Sequence, residues 1–151
     1  IAQNYGAGEK ERIRRGIRVA SVTSVAFGLL ISLLVFLFAR PLMGMFIDGG
    51  ETAVIQEGVR YLRIEGAFYF MIGMLFLLYG LYRALGRPGM SVVLTVVSLG
   101  TRVALAYGLS AVPGLGVVGI WWSVPIGWFL ADALGIGYFL VKRKELGAGM
   151  E

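Results

Sequence analysis

GRPGMSVVLTVVSLGTRVALAYGLSAV, residues Gly86 to Val112, decides the fold class. It is long enough to cross a bilayer as a helix, and Arg102 sits near its middle. At 3.6 residues per turn, Ser91, Thr95, Ser98 and Arg102 follow at steps of four, three and four, so they form one polar stripe on an apolar rod. An ionisable residue at membrane depth costs several kcal/mol or more unless it faces protein or water, which makes the stripe a functional candidate.

The composition agrees with a membrane setting. Of 151 residues, 58% are hydrophobic and 15% charged, with a mean hydropathy of +0.79. A water-soluble domain of this size needs a more charged surface. The net charge of +5 is no nucleic-acid footprint, because the basic residues cluster at the ends of apolar segments. The chain has no cysteine and no histidine, so thiolate metal sites, disulfides and the commonest general base and proton shuttle are absent. No nucleophile–base set, metal-ligand cluster or phosphate-cradling loop is present either. No catalytic residue, metal ion or cofactor is therefore expected, and an enzyme is not. The opening residue Ile1 and the lack of a signal peptide pattern suggest a piece of a longer protein.

Outward from the opening stretch, three further apolar segments appear. Val19 to Ala39 is uncharged for 21 residues, roughly 30 Å of helix at ~1.5 Å per residue, with Pro41 marking its end. A second span covers Tyr61 to Tyr82, with Gly66, Gly73 and Gly80 repeating every seven residues on one face. After the PGLG turn, Val117 to Val141 carries Gly119, Ser123, Gly127, Ala131 and Gly135 at steps of four. That is a small-residue face for close helix packing. Trp121, Pro125, Trp128 and Asp132 occupy a second face of the same helix. The expectation is an all-α, polytopic membrane helix bundle with four helices at approximately 17–40, 60–83, 89–112 and 117–141.

Basic residues set the expected orientation. Ten of them lie before the first span, in the Arg83 and Arg87 turn, and in Lys142, Arg143 and Lys144. The two opposite loops hold Arg40, Arg60 and Arg63 alone, with four acids alongside. The positive-inside rule places both ends of the chain in the cytoplasm. Tyr61, Tyr82 and Trp121, near the span ends, suit an interfacial aromatic belt.

Arg102 and Asp132 fall at similar depth on antiparallel neighbours. Two readings stay open: a cavity-lining pair that contacts a charged solute or coupling ion, or a buried ion pair that locks two helices. Ser91, Thr95 and Ser98 join them as candidate cavity residues. Their hydroxyls equally suit bonds to helix carbonyls.

Three stretches together resemble one family. QNYGAGEKERIRRGIR (3–18) precedes the first long helix, GLYRALGRPGMSVVLTVVSLGTRVALAY (80–107) joins the second and third, and PGLGVVGIWWSVPIGWFLAD (113–132) opens the fourth. In this order and spacing they resemble multidrug and toxic compound extrusion (MATE) transporters, whose fold has twelve helices in two lobes. The resemblance implies a partial C-lobe: the end of helix 8 and helices 9 to 12. It further implies an antiporter in the plasma membrane that exports small organic, often cationic, compounds against protons or sodium ions. Its partners would be membrane lipid and the N-lobe and helix 7 of the same full-length chain, with no nucleic acid. The acid that some members carry inside the tenth helix has no match between Ala67 and Tyr82, and Glu65 lies toward the outer end of that span. Two rivals are a flippase of related fold for lipid-linked saccharides and a non-transporting membrane scaffold.

Overall fold

A computed structural model describes residues 1–146. Within them the elements are α1 (Ala2–Gly6), α2 (Lys10–Gly44), α3 (Thr52–Gly66), α4 (Tyr69–Ala84), α5 (Pro88–Ser110) and α6 (Val117–Lys142), with no strand among the described residues. The helices α2, α5 and α6 are each long and apolar enough to cross a membrane, and α3 with α4, bent by 46° at their break, makes a fourth when the pair is counted as one span. The chain is thus an all-α, multi-pass membrane bundle.

The bent rod α3–α4 lies at the centre of the bundle. On one side it packs against α2, and on the other against α6, with α5 also reaching α4. The most extensive helix contact is the α5–α6 hairpin, and its cause is the small-residue face. A Cβ at Gly119 would meet the Leu109 backbone at 2.7 Å, one at Gly127 the Arg102 side chain at 2.7 Å, and one at Gly135 would crowd Leu78 and Leu94. These three contacts also give the antiparallel register of the pair. Gly66 and Gly73 serve α2 in the same way, against Val35 and Ser24, whereas Gly80 faces open space.

The turn at the start of the opening stretch follows from local chemistry. Gly86 takes φ 70, a conformation that L side chains rarely adopt, and the Arg87 N–H bonds back to the Tyr82 carbonyl at 2.8 Å. Pro88 then begins α5, where its missing N–H costs nothing. In α2 the break precedes the proline. Phe38 leaves helical geometry (φ −99, ψ 15), yet the helix resumes and runs through Pro41 to Gly44. The pyrrolidine ring crowds the carbonyl four residues earlier and strains the turn before it, while its own φ fits a helix.

At the end of the bundle that carries Arg83 and Arg87, Ile13, Leu81, Tyr82, Leu85 and Leu146 form a closed core. Tyr82 is fully buried, and its hydroxyl donates to the Gly135 carbonyl at 2.5 Å. It ties α4 to α6 and is not a belt residue. Along α2, by contrast, Val22, Phe27, Leu30, Leu33 and Leu37 are more than half exposed, a surface made for lipid or further helices.

Candidate functional site

The site grows from the break between α3 and α4. No proline causes it. Gly66, a poor helix residue, lies where a Cβ would stand 2.5 Å from Val35, so α2 presses on the rod at that point. Phe68 then adopts φ −112 and ψ 15 and interrupts the helix. The Phe70 N–H donates at 3.3 Å to the Ser32 hydroxyl of α2. The break is thus supported from the neighbouring helix.

Glu65 is the last but one residue of α3 and is only 8% exposed. It lies at the helix C-terminus, where the backbone dipole already places partial negative charge. Its one hydrogen bond comes from the Tyr61 hydroxyl, which donates at 2.9 Å. Glu65 forms no ion pair among the described residues. A buried carboxylate so weakly compensated favours a cation beside it.

That carboxylate opens onto a cavity of about 480 Å³. Tyr69 and Phe76 of α4, Phe27 of α2 and Trp128 of α6 line it, and Gly28 and Gly73 complete its wall. Tyr69 and Trp128 are tilted against each other, 6.2 Å between ring centroids. The Arg102 guanidinium packs over the Trp128 ring at 5.3 Å and so braces the wall. Tyr61 meets Trp121 edge-on at 5.7 Å, which fastens α3 to α6 beside Glu65. An apolar, aromatic pocket with one acid is the chemistry that holds a flat or bulky organic cation.

The five residues expected to line a cavity are not among the residues around this one. Ser91 is buried and donates to the Tyr79 carbonyl at 3.2 Å, joining α5 to α4. Thr95 donates back to the Ser91 carbonyl at 2.9 Å, and Ser98 is 2% exposed. Arg102 and Asp132 do not pair. The Arg102 side chain turns to Trp128, leaving its Nε buried without a partner. Asp132 is 6% exposed, and its Oδ1 likewise has none. The Trp128 Nε1 is the third such atom, so among the described residues the orphaned groups lie on α5 and α6. Arg102 thus enters the site indirectly, through the tryptophan that it covers.

The family model MatE matches residues 1–108, which cover α1 to α4 and most of α5. The probable multidrug resistance protein YoeA of Bacillus subtilis (strain 168) is 27% identical over 148 residues, covering 96% of this chain and 32% of that protein. The probable multidrug resistance protein NorM of Thermotoga maritima is 25% identical over 146 residues, covering 96% of this chain and 31% of that protein. The chain therefore spans about a third of the length of the curated relatives it matches. No solved structure matches. The extent of the family match, across most of a bundle built for the membrane, places the chain in the MatE family.

Proposed function

We propose that this chain is the partial C-lobe of a secondary active antiporter, which exports small organic, often cationic, compounds in exchange for protons or sodium ions. One observation carries the reading: the buried Glu65 carboxylate faces an aromatic cavity at a helix break. Discontinuous helices that line a binding cavity are a recurring device of secondary transporters. The family membership and the two relatives named for multidrug resistance support the same reading. Glu65 supplies a counter-charge that offsets the hydration an organic cation loses when it leaves water, and Tyr69 and Trp128 supply apolar and cation–π contact. Among the described residues, Asp132 and Glu65 are the buried acids available to a coupling ion. The N-lobe and helix 7 of the full-length chain would close the cavity, in the plasma membrane, with both ends of this chain in the cytoplasm.

Glu65→Gln in the intact protein tests the reading. Loss of a charged contact is worth ~1.5–3 kcal/mol, so affinity for a fluorescent organic cation falls about tenfold or more at unchanged protein level. Binding and export both equal to the unsubstituted protein would overturn the assignment of Glu65.

A further inference from the structure

A second and larger cavity, about 750 Å³, lies between α2 and α3 at the opposite end of the bundle from Arg83, Arg87 and Lys142. Arg40, Arg60 and Arg63 all line it, together with Thr52 and Gln56. No acid is among its lining residues. These three arginines are all the basic residues that the two loops and helix ends on this side possess. The chain keeps positive charge scarce here and gathers all of it around one hollow.

None of the three forms an ion pair among the described residues, although Asp48, Glu51 and Glu57 are close in sequence. Arg63 packs over the Phe36 ring at 5.5 Å, which orients the guanidinium without neutralising it. Three like charges around one space repel each other, and an anion placed between them removes that cost. Guanidinium groups match a phosphate through paired N–H···O bonds, and the threonine hydroxyl and glutamine amide add neutral donors.

The surroundings distinguish a lipid from a free ion. Ile55, Val59 and Ile64 line the same hollow and offer apolar surface next to the charges. The adjoining loop presents Met45 and Phe46, 76% and 84% exposed, the two side chains best suited to dip into a bilayer at this level. We infer that the α2–α3 cavity binds the phosphate headgroup of an anionic phospholipid, with Arg40, Arg60 and Arg63 on the phosphate and the loop in the acyl region. The outer leaflet as its source rests on the orientation proposed above; the phosphate chemistry does not.

The experiment is a lipid competition on the intact protein in neutral-lipid nanodiscs, with phosphatidylglycerol, phosphatidylcholine and inorganic phosphate as probes and bound lipid read by native mass spectrometry. The unsubstituted protein retains phosphatidylglycerol over phosphatidylcholine, and millimolar phosphate does not displace it. Arg40→Gln/Arg60→Gln/Arg63→Gln weakens that preference by at least about tenfold. Arg40→Lys/Arg60→Lys/Arg63→Lys keeps the charge but loses the paired bonds, and falls between the two. No preference in the unsubstituted protein overturns the proposal without recourse to any variant. Displacement by phosphate at equal strength reassigns the hollow to soluble anions and overturns the lipid. Binding of tetraphenylphosphonium is measured in the same preparation. Its absence alongside an intact lipid preference counts against the transport reading and leaves the lipid site standing.

Discussion

Asp132 and Arg102 show how far single residues carry an argument. Their spacing on neighbouring helices suggested a pair, and the side chains decline it. From the register, Gly127 lies against Ser98 and Arg102, while Gly135 lies against Leu94, which sets Asp132 more than a turn away from Arg102 along the bundle. The guanidinium finds an aromatic face nearer than the carboxylate. Residues that do not touch show nearly additive effects. A double-mutant cycle with Arg102→Gln and Asp132→Asn should therefore give a coupling within about 0.5 kcal/mol, measured by thermal unfolding of the purified intact protein. A coupling of several kcal/mol would restore the ion pair. Glu65 teaches the converse: a residue that looked peripheral along the chain is the acid that faces the cavity.

Among the elements, α6 is the most legible and α3–α4 the least. The five small residues at steps of four announced a packing face; all five are buried, and the three glycines lie against α5 and α4. Gly127 is a tight point, since an added Cβ would stand 2.7 Å from the Arg102 side chain and 2.8 Å from the Ser98 carbonyl oxygen. Overpacking of that kind costs ~1–3 kcal/mol, so Gly127→Ala should lower the melting temperature of the intact protein. Gly80→Ala is the control. Nothing lies within 4 Å of its Cβ position, and relief of glycine's backbone freedom should leave stability equal or raise it by ~0.5–1 kcal/mol. Equal losses at both positions would contradict this packing. The seven-residue glycine repeat in α3–α4 was less informative. Its first two members meet α2, but the bend at Phe68 makes the rod two helices with separate faces.

On the scale of the whole bundle, both ends of the described chain carry basic clusters and the opposite end carries three arginines in one cavity. The charge asymmetry predicts that the α2–α3 loop is outside and the segment after α6 inside. The chain itself has no cysteine, so single cysteines placed in it report its orientation once any cysteine elsewhere in the intact protein is replaced. A single Gly49→Cys should react with a membrane-impermeant maleimide in whole cells, and a single Lys144→Cys only after lysis. The reverse pattern would invert the orientation and, with it, the leaflet of the lipid site.

Hydropathy, which acts residue by residue along the chain, was enough to determine the helical, multi-pass class and the face on which α6 packs. The family was likewise legible, because its loops keep their residues in order: QNYGAG before α2 and ALGRPG before α5. Other features came only from tertiary structure. Ala67 and Phe68 carry no local signal for a break; it arises because α2 presses at Gly66 and offers the Ser32 hydroxyl to the Phe70 N–H. Glu65 is buried because that bend turns the end of α3 toward α6. Arg40 is twenty residues from Arg60 in sequence, and they share a cavity because α2 packs along α3. Burial and convergence of charge depend on which helices meet, and that is decided between elements.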